Sequence, residues 1–525
     1  MKKTKRISVT LAVLLSITLI LVGCRKADAP PPRQDRIEIS VALWGLAENL
    51  SEPDPLVQRL EDKLNIKIKP VAMTGVDYAQ QFQMWASSGQ LPDIFAVDAM
   101  NSRYYKNWIA QGVIKALPEN LSAYPHLEKY LSLPDIESLK VDGKLYMIPR
   151  MTYDSTDYNV LDRIVVYRWD LARKAGIDKE PETWEEFKAM LSAIVAQDPE
   201  KKNIAGLTSA SNLLLGGLFW LYSSPAATSD GSGSDYKWIK EDGRYIPAVF
   251  AKQSVASLSM LRDFYASGLI DPDLPIMKGE MGFDKFAQGK VAALITSGML
   301  QAVDTNIYKD RWLKLHPDET RFYDKVKVLK PLKSMDGNRY HAVFKSFWSE
   351  SYISAKVDDK KMDRIMQLLD YMSTPEFLEM RRFGLQGVDY EKNGELLTRI
   401  HPEEDLVKKY KGMSSLGILL DWDGMFKLDP AYSGLSPEGH QVQQELLDYS
   451  MKMTRKQAFD SRLTYLSTPT KDGFSIYDND DMIRVMLSKR PVEDAWKEIV
   501  NGYRAKGLDR LIEEVNAKAK EMGIE

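Results

Sequence analysis

Between Ile37 and Val97 the hydrophobic period switches repeatedly between two residues and three to four. Ile37, Ile39, Val41 and Leu43 alternate, as along a strand with one buried face. Leu56, Leu60 and Leu64 follow at helical spacing, and Ile66 and Ile68 alternate again before Pro70. Tyr78, Phe82 and Trp85 mark a second helical face that Gly89 can end, and Ile94 to Val97 is a short apolar run. Strands that alternate with helices predict a parallel sheet covered by helices, an α/β fold. A second such unit begins near Arg163. Ile164-Val165-Val166 reads as a strand and Asp170 as the cap of the next helix. Thr183 and Glu186 form a capping box ahead of an apolar face of Trp184, Phe187, Leu191 and Ile194. Residues 228–235 are rich in Gly and Ser and read as a surface loop, and Met482 to Met522 reads as helices broken at Pro491.

The front end is different in kind. Lys2, Lys3, Lys5 and Arg6 precede an apolar run from Ile7 to Val22. That run is short for a bilayer span, which needs about 20 residues, and its charged start is the layout of a secretory signal peptide over 1–23. It ends in Leu21-Val22-Gly23-Cys24, which resembles a bacterial lipobox, in which the cysteine carries the lipid. Cys24 is the chain's single cysteine, so no internal disulfide can form. Residues 24–35, with Pro30-Pro31-Pro32, read as an extended spacer from a membrane.

Composition narrows the chemistry. The net charge is −3, and removing the signal peptide takes four cations with it. An acidic, mixed surface argues against nucleic acid as a partner. The five histidines, His126, His316, His341, His401 and His440, show no metal-ligand spacing, and no G-x-S-x-G elbow is present. Gly289-Lys290 lacks the spacing of a P-loop. Asp478-Asn479-Asp480-Asp481 lacks the glycine and closing glutamate of an EF-hand loop and reads as a helix start. No metal and no cofactor are expected. A pair of hydrolytic carboxylates stays open, because such pairing is spatial.

Several phrases, in order, resemble the extracellular solute-binding lipoproteins of ABC sugar importers. They are Leu91-Pro92-Asp93-Ile94-Phe95, Gly143 to Pro149, Tyr167-Arg168-Trp169-Asp170, Pro181 to Phe187, Phe286 to Ala293, and Thr468-Pro469-Thr470. The resemblance implies an α/β, two-lobed periplasmic-binding-protein-like fold with a hinge and an interlobe cleft. The lobes expected are 36–150 with 292–350, and 155–290 with 352–525. The implied function is capture of a carbohydrate, an oligosaccharide, outside the cell and delivery to an ABC permease, by a lipid-anchored monomer that is not an enzyme. A cell-surface glycosidase or an adhesin is the alternative. Relatives that carry a calcium-like loop hold it where this chain reads Gln197-Asp198-Pro199-Glu200-Lys201-Lys202-Asn203, and two lysines there argue against a cation.

Sugars present flat C–H faces rimmed by hydroxyls, so aromatic rings and polar side chains recognise them together. Among eleven tryptophans, position selects candidates at strand ends and in loops, where open α/β sheets bind ligands. The ligand set expected is Trp44, Asp98, Arg150, Tyr153, Asp154, Trp220, Trp348, Glu350 and Trp422, with the rings facing solvent. For any single ring, core packing is the competing role. Few cations fall at these positions, which favours a neutral sugar.

Overall fold

The computed structural model describes residues 36–73, 78–99, 103–153, 155–198, 201–210, 215–223, 236–277, 281–296, 299–394, 396–401, 404–421 and 435–524. Cys24 with the signal peptide and spacer, Asp154, Trp422 and the 228–235 loop lie outside them. Among the described residues no helix is long and apolar enough to cross a membrane.

Two mixed sheets organise the chain. The first holds β1 (Ile37–Ala42), β2 (Ile66–Pro70), β3 (Ile94–Val97), β4 (Ile148–Met151) and β9 (Phe347–Ile353), in the order β2-β1-β3-β9-β4. β1 runs parallel to β2 and β3, as the alternation demands, and Ile37 pairs with Ile66. β9 arrives from far along the chain and lies antiparallel between β3 and β4. The second sheet holds β5 (Val165–Arg168), β6 (Ala205–Ser209), β7 (Val291–Ile295) and β8 (Val326–Val328), in the order β8-β5-β7-β6.

Local signals place the helices. The Pro55–Leu64 helix starts at Asp54, whose carboxylate accepts from Leu56 N at 2.9 Å and also from Met413 N at 2.9 Å. The Thr183–Glu186 capping box forms in both directions and opens the Trp184–Gln197 helix. Asp170 does not cap its helix. It lies in the first turn and holds Arg168 through two 2.7 Å bonds, because Arg168 occupies the cap position. After the Trp184 helix, the Asp198 carboxylate accepts the backbone N–H groups of Lys202 and Asn203, each at 2.9 Å.

The division of the chain corrects the expected boundaries. One core joins residues between Ile39 and Met151 to residues between Phe347 and Leu420. Two further cores draw on residues between Tyr153 and Leu332 and on residues between Leu435 and Ile524. Thus 292–328, expected with the first sheet, pairs into the second: Ala205 with Val291, and Val165 with Ile295. Residues 354–421, expected with the second sheet, pack on the first. Val291–Ile295 is buried throughout, and an apolar run of that kind fits either sheet equally well. The chain crosses between the two bodies at residue 152 and over 333–346. They are tied where Thr152 N and Tyr153 N both donate to Ser346 O, at 2.8 and 3.1 Å.

Two glycines measure how closely the second body packs. A Cβ on Gly282 would sit 2.1 Å from Ser209 O, whereas one on Gly502 would meet open space. Gly282→Ala should therefore destabilise by about 1–3 kcal/mol through overpacking. Gly502→Ala, inside the Val492–Ala505 helix, should stabilise by about 0.5–1 kcal/mol. Denaturant melts of the two variants check both signs.

Candidate ligand-binding cleft

Strand direction gathers the site. β1, β3 and β4 all end at one edge of the first sheet, and antiparallel β9 begins there. The residues following β1 and β3, Trp44 and Asp98, therefore share that edge with Trp348 at the start of β9. Gly45, at φ +68°, turns the chain just after Trp44. The two indoles meet with centroids 6.3 Å apart and planes inclined by 28°. Trp44 is 47% exposed and Trp348 38%, so the pair forms a partly open aromatic face. Asp98, which follows β3 at the same edge, is exposed.

Beneath this face lies a buried charge network. Glu350 and Arg150 are both withdrawn from solvent. Glu350 Oε2 accepts from Tyr352 Oη at 2.8 Å and from Ala99 N at 3.2 Å. Arg150 Nε donates to Ser349 Oγ at 3.0 Å. Burial, then the negative charge of Asp98, push the Glu350 carboxyl up to about 7, with Lys345 pulling the other way. Burial also brings the Arg150 guanidinium down to about 10, against the pull of Glu350 and Asp98.

β9 reaches this arrangement through a bulge. Phe347 pairs with Met151 and Glu350 with Pro149, so three steps on β9 match two on β4. Ser349 takes up the difference at φ +60°, a left-handed conformation that costs a non-glycine residue roughly 1–2 kcal/mol. Bulges re-aim side chains, and this one lets Trp348 leave the sheet while Glu350 returns to the ladder opposite Val97.

Two other expected ligand residues, Trp220 and Tyr153, lie away from this edge. Trp220 is only 2% exposed and packs in the core of the second body. Tyr153 is buried in the third core, where burial and then the charge of Asp162 hold its hydroxyl well above the usual range. Neither ring faces solvent, because the helix Leu215–Ser223 and the crossing segment fold inward. Trp220 does line a cavity of about 110 Å³, with Asn159, Asp162, Arg163, His341 and Asn479. Asn159 is buried there. Its Oδ1 accepts from Phe344 N at 3.1 Å, and its Nδ2 finds no acceptor among the described residues. Arg163 pairs with Asp162 at 3.1 Å and covers the Phe344 ring at 4.4 Å. Burial, with Lys456 adding to it, pulls His341 down to about 4. Mixed donors and acceptors among aromatic walls suit a polar, uncharged ligand.

Sequence reasoning missed Ser349, Lys345 and Tyr352 around the Trp348 strand, and Asn159, Arg163 and His341 at the cavity. One signal existed: Ser349-Glu350-Ser351 places three consecutive polar residues inside a central strand.

The Glu350 carboxyl has a pH consequence. Its folded pKa, about 7, stands above the ordinary 4.5, so the folded protein binds the proton more tightly than the unfolded chain does. Its contribution to stability is complete below about pH 4.5 and is lost as pH rises through about 7. Glu350→Gln should therefore melt progressively higher than wild type as pH is raised from 5 to 8. Parallel melting curves across that range would contradict the assignment.

With this geometry established, comparison places the chain among known proteins. Residues 47–376, more than half of the chain, match the family model of the bacterial extracellular solute-binding protein. Lipoprotein LipO of Bacillus subtilis is 22% identical over 418 residues, 76% of this chain and 77% of that protein. The fructooligosaccharide ABC transporter substrate-binding protein FusA of Streptococcus pneumoniae is 25% identical over 283 residues, 50% of this chain and 52% of that one. The FusA structure in complex with kestose superposes with a TM-score of 0.66 at 16% identity, over 93% of this chain and 99% of that one. The alginate-binding protein AlgQ2, solved without calcium ion, gives 0.67 at 16% identity, over 92% and 98%. The fold is thus that of two-domain solute-binding proteins, and the family consists of binding proteins rather than enzymes. The chain belongs to the bacterial extracellular solute-binding protein family.

Proposed function

We propose that the protein is a lipid-anchored receptor that captures a neutral oligosaccharide outside the cell and delivers it to an ABC import permease. The observation that carries this reading is the partly open Trp44–Trp348 face, at the sheet edge where exposed Asp98 also follows β3. Two adjacent indoles offer an extended apolar surface, which suits consecutive sugar rings better than a single small solute. The names of the relatives support the ligand class and the partner: FusA is a fructooligosaccharide ABC transporter substrate-binding protein, and LipO a lipoprotein.

Charge favours a neutral sugar over an acidic one. Asp98 is the exposed charge at this edge, while the buried Glu350 is offset by Arg150 and Lys345. At the Trp220 cavity Arg163 is matched by Asp162. An anionic sugar would meet repulsion from Asp98 and only a compensated cation at the cavity. The same geometry argues for binding without turnover. A general acid must reach the glycosidic oxygen, but Glu350 is fully buried and its carboxylate serves Tyr352 and Ala99 N.

The two bodies, 36–151 with 347–421 and 153–332 with 435–524, act in this reading as lobes that close around the ligand as a monomer. Ligand that touches both walls favours the closed state by its extra contacts there. Cys24 carries the lipid, and the segment 24–35 is the tether.

Two measurements test the proposal. Trp44→Ala and Trp348→Ala should each weaken oligosaccharide binding by about tenfold to a hundredfold, taking about 1–3 kcal/mol for a lost stacking ring by analogy with bases, with little change in melting temperature. Trp220→Ala, by contrast, should cost stability by about 3–5 kcal/mol as a core deletion. Unchanged affinity in both exposed variants would remove the platform from the site. For the anchor, Cys24→Ala should move the protein from the membrane fraction into the medium or leave it with its signal peptide attached. Membrane retention at unchanged mature mass would refute lipidation.

A further inference from the structure

We infer that Ser349 is a positioning residue of the aromatic face, and that its left-handed backbone, rather than its hydroxyl, aims Trp348 at Trp44. The functional weight of this inference rests on the platform reading above. Its geometric content does not.

β9 is a central strand, hydrogen-bonded to β3 on one side and β4 on the other. Side chains of a regular strand alternate between faces, and a slip of one residue exchanges the faces. On β9 the ladder is regular from Glu350 to Ile353, where these residues pair in step with Val97 to Ile94. Phe347 is also in register, opposite Met151. One surplus residue must be absorbed between these two fixed points, and Ser349 is the position whose φ of +60° absorbs it. Trp348 is the residue immediately before that turn, so the direction in which it leaves the sheet is set by the turn. Were Ser349 to return to extended backbone, either Phe347 would leave its buried place or Trp348 would swing away from Trp44.

Ser349 is itself buried and touches the network through its hydroxyl, which accepts from Arg150 Nε at 3.0 Å. Two roles thus coincide in one residue, and substitution can separate them. Threonine keeps the hydroxyl but branches at Cβ, which disfavours positive φ. Glycine removes the hydroxyl and accepts positive φ freely.

Near-ultraviolet circular dichroism of the unliganded full-length chain reads the pair, because stacked indoles couple as excitons. Subtracting the spectrum of the same background with Trp44→Phe isolates the pair from the remaining tryptophans. Ser349→Gly should retain the pair signal, and Ser349→Thr should lose more than half of it at temperatures well below its melting midpoint. A purely structural role would lower the melting temperature in either variant without altering the pair signal of the folded state. Retention of the signal in a folded threonine variant, or its loss in the glycine variant, would overturn the inference. If the threonine variant does not fold, the glycine arm decides alone, since loss there shows that the hydroxyl is what matters. No sugar enters the measurement, so a failed sugar screen leaves it standing.

Discussion

Everything at the open edge of the first sheet depends on how β9 enters it. The strand is laid antiparallel between β3 and β4, so its first residues reach the edge where β1, β3 and β4 end. Parallel strands alone would deliver only loop residues there. The antiparallel insertion delivers a strand start, with its backbone held on both sides. The bulge at Ser349 then separates two demands that a regular strand could not meet together. One is an indole turned outward at 348, and the other is a carboxylate turned into the sheet at 350.

The buried carboxylate has its own logic. An ionised glutamate without water is costly unless hydrogen bonds and counter-charges surround it. Glu350 receives a backbone N–H and a tyrosine hydroxyl and lies in the field of Arg150 and Lys345, yet Asp98 opposes its ionisation. The result is a carboxyl raised above its ordinary range, two residues along the strand from Trp348. A polar network of this kind fixes side-chain positions more than it stabilises the fold. A sugar site needs that fixity, because hydroxyl recognition depends on donors and acceptors held in place.

The sequence made some of this legible and not the rest, for physical reasons. Alternation between Ile37 and Val97 carried the first parallel unit, since one buried face per strand leaves a period of two. The Thr183–Glu186 box needed only local geometry, and so it was readable. Trp44 and Trp348 were placed by the rule that open sheets bind at strand ends, and the structure brings those two rings together. Trp220 and Tyr153 are buried where exposure was expected, because glycine neighbours or proximity to a hinge say nothing about which way a ring turns. The sheet membership of Val291–Ile295 was equally hidden: five buried apolar residues satisfy any central strand. Ser349 was missed because a bulge is defined by two strands at once, and the sequence holds these two about two hundred positions apart. The cavity wall of Asn159, Arg163 and His341 is assembled from separate segments in the same way.

In the proposed function a neutral oligosaccharide rests on the Trp44–Trp348 face, at the edge where Asp98 is exposed. A crystal structure of the complex with a neutral oligosaccharide selected by a binding screen tests it most directly. Sugar rings should lie in van der Waals contact with both indoles, with a sugar hydroxyl hydrogen-bonded to Asp98. Ligand bound elsewhere, with the face of the indole pair left open to water, would contradict it.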